Sequence, residues 1–214
     1  MIDINQISQN TIERYTKRYD SFGKDIKTLG WGSEEQQIYR FENTIQAADF
    51  SNKSILDIGC GFGDYSKFLK KNSINIKSYT GWDINPVLID EANNKASESA
   101  FLVFNLANDP IESYVNKYDI GVMLGVLNFN LGLTSVNWEY SKMMIKNAFA
   151  VVNHVLIVDF ISTKLFPGYP PEDFIYYHNP GQVADFALEL TDNVVLKHNY
   201  APIPQKEFML YIYK

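Results

Sequence analysis

The stretch Ile55-Leu56-Asp57-Ile58-Gly59-Cys60-Gly61-Phe62-Gly63 constrains the fold of this chain more than any other. A short apolar strand carrying one acid breaks into glycines at alternate positions and then enters a helix-like run, Asp64 to Lys71. Glycine permits a tight turn with φ > 0 and lets a ligand approach the backbone without interference from a Cβ. The helix start that follows offers unpaired N–H groups to something electron-rich. Asp57 argues against a phosphate ligand, because carboxylate and pyrophosphate repel; a cationic or amine-bearing ligand suits it better. Two phosphate-binding patterns fail on inspection. The G-x-G-x-x-G fingerprint needs a third glycine where Asp64 stands, and Gly23-Lys24 is followed by Asp25 rather than the Ser or Thr of a P-loop.

With 214 residues the chain is long enough for one α/β domain with a full core and too short for two large ones. A net charge of −6 disfavours a sequence-independent grip on nucleic-acid phosphates, which depends on clustered Lys and Arg. No run of about 18 apolar residues suggests a membrane span. The first residues lack the pattern of a secretory signal. The single cysteine, Cys60, excludes an internal disulfide and a Cys-based zinc site, and no metal is expected. These features point to a cytoplasmic enzyme that binds neither nucleic acid nor membrane; oligomeric state is not readable.

Ile7, Ile12, Tyr15 and Tyr19 recur at helical spacing over residues 5–21, and Ser33 with Gln36 resembles a capping box opening a helix from Glu34 to Ala48. Strands are predicted at 54–58, 79–84, 101–104, 118–124 and 152–160, alternating with helices. Pro86 opens one of these, and another spans about 136–149. Such alternation implies a parallel sheet with right-handed crossovers. Strands at 194–200 and 208–213 are joined by Ala201 to Gln205, too short for a helical crossover, so that pair must be antiparallel. Leu165 to Asn179, with Pro167, Gly168, Pro170 and Pro171, reads as an irregular loop over the active-site edge. The second strand ends in Trp82-Asp83-Ile84-Asn85-Pro86, and an acid at that tip accepts hydrogen bonds from vicinal ribose hydroxyls. The competing reading of Asp83 is a helix cap before Pro86.

The pattern D-x-G-x-G-x-G at Asp57 to Gly63, with Asp83 at the tip of the next strand, resembles the first motifs of class I S-adenosylmethionine-dependent methyltransferases. The resemblance implies an α/β, Rossmann-like, seven-stranded and mostly parallel sheet with a C-terminal antiparallel hairpin and helices on both faces. It divides the chain into a helical lid over residues 1–50 and a catalytic domain over 51–214. It assigns the cofactor to Asp57, Gly59, Cys60, Gly61 and Gly63, with Asp83 and Ile84 at the ribose. Asn105 and Leu106 fall where the family reads adenine. There Asn105 replaces the usual acid, and Asp109 competes for the role. Leu124 and Gly125 would lie beneath the methionine portion, and Asn128 near the transferring methyl. Asp119 is read as structural.

Arg18 to Phe41 is similar to the front segment of bacterial small-molecule methyltransferases, which closes over the cofactor. Trp31 offers a face to the sulfonium or the adenosine, and Arg40 or Arg18 a fork for the cofactor's carboxylate. Glycine-flanked Trp31 is otherwise a loop anchor in the core. His178, within Tyr176-Tyr177-His178-Asn179, is the candidate general base; His154 and His198 read as structural. The substrate pocket is assigned to Asn128, Tyr169, Tyr176, Tyr177 and His178. The reading is transfer of a methyl from S-adenosyl-L-methionine to a small-molecule acceptor by in-line displacement, leaving S-adenosyl-L-homocysteine. Two alternatives stay open: a non-catalytic adenosine-binding module, and an NAD-dependent oxidoreductase, disfavoured by Asp64 and the final hairpin.

Overall fold

The computed structural model describes residues 3–94, 99–199 and 206–214. Seven strands form one sheet in the order β3-β2-β1-β4-β5-β7-β6. β1 (Ser54–Ile58), β2 (Ser78–Asp83), β3 (Ala100–Val103), β4 (Tyr118–Met123) and β5 (Val152–Ile161) run parallel. β7 (Glu207–Tyr213) lies antiparallel between β5 and β6 (Val194–Lys197). This is the Rossmann-like architecture expected, with its single reversal at the C-terminal hairpin. β6 stops at Lys197, short of the expected end at Tyr200, which with the joining residues 201–205 lies outside the described residues.

Side-chain alternation explains why the central strands are apolar throughout. Ile55, Val155 and Ile157 enter the core on one face of the sheet, while Leu56, Leu156 and Val158 enter the core on the other. Both cores exist because helices cover both faces. The helices are α1 (Ile4–Phe22), α2 (Ile26–Leu29), α3 (Glu34–Thr44), α4 (Asp64–Lys71), α5 (Pro86–Asn93), α6 (Thr134–Val151) and α7 (Pro180–Leu188). Ser33 caps α3 as its spacing with Gln36 implies, accepting from Gln36 N at 3.3 Å. That helix stops at Thr44, not Ala48: the Thr44 hydroxyl bonds back to Phe41 O at 2.7 Å and meets Tyr65 Oη at 2.6 Å. The turn of α2 was not anticipated. Asp25 caps it, and Arg18 closes its end on the carbonyls of Lys27 and Thr28.

The N-terminal helices dock on the ends of β2 and β3 through side chains of the sheet. Asn85 Nδ2 donates to Ile12 O at 3.0 Å and to Thr16 Oγ1 at 3.1 Å, and Asn105 Nδ2 donates to Ser8 Oγ at 2.9 Å. Tyr19 Oη donates to Glu91 Oε1 at 2.6 Å. On α3, Arg40 reaches the far strands: its Nε lies 3.1 Å from Asp159 Oδ2 and it pairs with Glu207, all three residues being buried. Asp119 is structural, as expected, accepting from Ser54 N and Oγ at 2.7 Å.

Gly63 stands at the head of α4 with φ +71°, and a Cβ there would lie 2.5 Å from Phe101 Cζ. Gly63→Ala should therefore lose about 2–4 kcal/mol of unfolding free energy, through backbone strain plus overpacking. Gly132→Ala, at φ +104° with open space around it, should lose less than half as much. Urea titration of both variants checks this.

Candidate active site

The C-terminal ends of β1, β2, β3 and β4 and helices α1 to α3 enclose a cavity whose empty volume is about 1300 Å³, including its open mouth. The bend after β1 forms its floor. Gly59 N and Cys60 N donate to Trp82 O at 2.7 and 3.0 Å, and Gly61 N donates to Asp83 Oδ2 at 2.9 Å. Asp57, Gly59, Cys60 and Gly61 line the cavity. At Gly59 φ is +76° and a Cβ would sit 2.4 Å from Val126 Cγ2, so glycine is required where the bend passes the β4 exit.

Asp83 and Ile84 line the wall beside this bend. Asp83 is not the helix cap its sequence offered, since Asn85 caps α5 by accepting from Val87 N and Leu88 N. Oδ1 braces the turn by accepting from Asn85 N at 2.9 Å, yet each carboxylate oxygen keeps a lone pair beyond the backbone bonds it accepts. Burial pushes the Asp83 carboxyl above its ordinary pKa, and the backbone N–H groups oppose this. Asp57 is pushed up to about 7, by burial first; the Tyr79 hydroxyl bonded to Oδ2 pulls it down, and Asp83 and Asp64 push it up. Asp64 also lines the cavity, and among the described residues no Lys, Arg or His does. Three carboxylates without a lining cation fit a ligand that brings positive charge, and they do not fit a pyrophosphate.

Asn105 and Leu106 line the wall beyond β3. The Asn105 amide is already engaged, its oxygen by Ala107 N at 3.1 Å and its nitrogen by Ser8, so only remaining lone-pair capacity is open to a ligand. Asp109 stands behind it, accepting from Asn105 N at 2.7 Å. Leu124 and Gly125 line the β4 side, and Trp31 lies against them: a Cβ on Gly125 (φ +74°) would be 3.0 Å from Trp31 Cη2.

Several residues singled out from the sequence fall elsewhere. Arg40 does not reach the cavity; its guanidinium is committed to Asp159 and Glu207 and lies 4.5 Å from the Trp31 ring centroid. Arg18 is likewise committed, to the end of α2. Gly63 faces Phe101 in the core rather than the cavity. Asn128 uses its side-chain oxygen to accept from Ile161 N at 2.9 Å, so it ties two strand ends together. Tyr169 donates to Glu172 and Tyr177 accepts from Glu172 N, and neither lines the cavity; nor does Tyr176, which packs edge-on against His178. His178 is 1% exposed and sits one layer behind the wall. Ser141, which does line the cavity, donates to Asn137 O and therefore accepts from His178 Nε2 at 3.2 Å. Burial lowers His178 to about 3, which leaves it neutral and far too weak a base for neutral pH.

The sequence reading missed Tyr15, Gln37 and Tyr140, which reach the cavity from α1, α3 and α6. Tyr15 carried a signal, since it lies on the apolar stripe with Ile12 and Tyr19. Gln37 lay within the front segment likened to one that closes over the cofactor, and Tyr140 carried no signal, because helix spacing does not say which face meets a sheet edge. Burial raises Tyr140 to about 12, so its hydroxyl keeps its proton and serves as a donor.

Comparison with known proteins agrees with this geometry. Residues 55–154 match the family described as methyltransferase domain. No curated protein matches the chain. Among solved structures, magnesium protoporphyrin IX methyltransferase from Synechocystis PCC 6803, with bound S-adenosylhomocysteine, is 17% identical over 98% of this chain and 97% of its own, with a TM-score of 0.65. An S-adenosylmethionine-dependent methyltransferase from Archaeoglobus fulgidus is 13% identical over 86% and 95%, at 0.64. The small RNA methyltransferase HEN1 is 15% identical, at 0.63; the alignment covers 85% of this chain but 26% of that one. Fold and matched domain together define a methyltransferase. Residues 55–154 thus carry a methyltransferase domain on the class I methyltransferase fold, whose cofactor is S-adenosyl-L-methionine.

The buried histidine generates a stability prediction. Its folded pKa is depressed, so the unfolded chain takes up the proton first; the contribution is whole above about pH 6.5 and is lost as pH falls toward 3. Asp57 acts oppositely, its contribution being lost as pH rises through about 7. The stability advantage of the parent over His178→Phe should shrink by up to about 1.4 kcal/mol per pH unit between pH 6.5 and 4.5. Urea unfolding of both proteins across that range measures it.

Proposed function

We propose that this methyltransferase acts on a small molecule, and that α1 to α3, within residues 1–50, serve as a lid over residues 51–214. The observation that carries the reading is the cavity itself, whose lining joins a glycine bend and a strand-tip acid to the apolar side chains of Phe129, Leu131 and Met144 with Tyr140. Helices cover it, and their hydrogen bonds to Asn85 and Asn105 hold them on the sheet. An enclosed, mainly apolar space of this kind suits a compact acceptor better than a polymer. Magnesium protoporphyrin IX methyltransferase is named for a small-molecule acceptor and HEN1 for an RNA. The net charge of −6 and the three cavity carboxylates weigh against the second kind of acceptor.

When bound, S-adenosyl-L-methionine supplies a methyl group made electrophilic by its positively charged sulfur. The chain's own part is placement and electrostatics. Asp83 accepts from ribose hydroxyls, and the open backbone at Gly59, Gly61 and Gly125 admits close contact. Asp57 and Asp64 favour the ligand's positive groups. Tyr140, protonated at neutral pH, donates a hydrogen bond that orients the acceptor. His178 is too buried and too weakly basic to take the acceptor's proton, so the reading assigns no side-chain base.

Titration calorimetry with S-adenosylhomocysteine, NAD⁺ and ATP tests the cofactor assignment: the first should bind, and binding of NAD⁺ alone would end it. Asp83→Ala should weaken S-adenosylhomocysteine binding by about 1.5–3 kcal/mol through loss of charge-assisted bonds. An unchanged dissociation constant there would leave Asp83 only a brace of the turn. Turnover of tritiated cofactor against metabolites and small RNA then separates acceptor classes.

A pH dependence follows from Asp57. A ligand ammonium favours the ionised carboxylate, so affinity should rise as pH increases toward about 7, by at most tenfold per unit, and level off above. Asp57→Asn should flatten this profile, as followed by calorimetry between pH 5.5 and 8.5.

A further inference from the structure

The charge around the cavity is unevenly arranged. Inside are Asp57, Asp64 and Asp83 with no lining cation among the described residues. At the acceptor end stands Arg14 on α1, its Cζ 4.1 Å from the ring centroid of Phe129, a lining residue, and 6.0 Å from that of Phe174. Phe129 and Phe174 belong to two loops laced together by Asn130 N donating to Phe174 O at 2.9 Å and by a bridge between Phe129 and Ile175.

Arg14 is partly buried, and among the described residues no carboxylate pairs with it. The charged and polar groups that act on it are Tyr15 and Arg18, the latter another cation. Arg18 is spent on the end of α2, and the neighbouring Glu13 pairs with Lys17. Burial already disfavours the Arg14 charge. A half-buried guanidinium held on aromatic rings without an anion is a costly arrangement that a ligand carboxylate would relieve.

We propose that Arg14 selects the acceptor, binding the carboxylate of an apolar, ring-bearing acid whose methyl-receiving end points away from it into the cavity. The inference rests on the small-molecule reading above and deepens it. The three inner carboxylates repel the acid end, Arg14 attracts it, and the Phe129, Leu131 and Met144 wall takes the body between them. The same polarity sets the orientation: the neutral end faces the Asp57 side, and the charged end stays at the Phe129 rim.

The test uses the full chain saturated with S-adenosylhomocysteine. Titration calorimetry measures binding of 4-hydroxybenzoate, 3,4-dihydroxycinnamate and indole-3-acetate, of the corresponding uncharged amides, and of a short RNA. At least one acid should bind, its amide roughly tenfold or more weakly, in line with loss of a charge-assisted bond. Arg14→Gln should bring the acid down to the level of the amide, Arg14→Lys should keep part of the difference, and S-adenosylhomocysteine affinity should stay within about twofold in both, showing an intact cavity. Amides binding as tightly as acids, no acid binding the parent, an acid affinity unchanged in Arg14→Gln, or RNA binding more tightly than every acid would each overturn the inference. Failure of S-adenosylhomocysteine to bind the parent is a different result: it removes the cofactor reading, and this inference falls with it.

Discussion

The peptide groups of Gly59, Cys60 and Gly61 turn their N–H bonds onto the end of β2, two onto the Trp82 carbonyl and one onto the Asp83 carboxylate. This stitch holds the chain in a reversal that needs positive φ at Gly59 and Gly61. Everything at the sheet edge is referred to it. It places Asp57 beside Asp83 in a buried space, and it leaves the strand-tip carboxylate with acceptor capacity to spare. It also starts α4 one residue after Gly63, whose missing Cβ lets Phe101 pack beneath the turn. Because the donors are backbone groups, the geometry is indifferent to side chains other than glycine and the one acid.

A second constraint comes from the far side of the sheet. Arg40 carries the N-terminal helices across to β5 and β7 through Asp159 and Glu207. Asp159 in turn accepts from Gly125 N at 2.6 Å. One buried ionic group thus connects α3, the β4 exit and the hairpin, with Trp31 lying between Arg40 and Gly125. Buried ion pairs are expensive to desolvate and return little net stability, yet breaking one is severely destabilising. Here the ionic group fixes the position of Trp31 at the cavity wall. An arginine that sequence reasoning sends to the ligand is consumed in holding the wall that faces it.

The electrostatics of the site follow from these two arrangements. Burial first, with Asp83 and Asp64 nearby, raises the Asp57 carboxyl, and the gathered carboxylates invite positive charge, while the Arg14 cation stands outside the lining on α1. Acid inside and base outside give the cavity a direction as well as a preference. The neutral His178 behind Ser141 contributes packing, not proton transfer, because its desolvation outweighs any use of its charge.

The strands, their parallel order through β5 and the glycine bend were legible because local chemistry dictates them. Alternate glycines after an apolar strand leave few conformations, continuous apolar runs require two covered faces, and a connection this short forbids a helical crossover. Asp57, Gly61 and Asp83 were found for the same reason, since each lies at the end of a strand whose register the sheet imposes. Arg40, His178 and Asn128 were misplaced because they meet residues more than thirty positions away, and Tyr169 and Tyr177 because they close on Glu172 within their own loop. A side chain's hydrogen bonds go to whatever packing brings near. Sequence alone determined the strand-and-bend frame and the acids at its edge. Only tertiary structure decided which polar side chains face the cavity and which are spent holding it, because that depends on how α1, α3 and α6 are seated over the sheet.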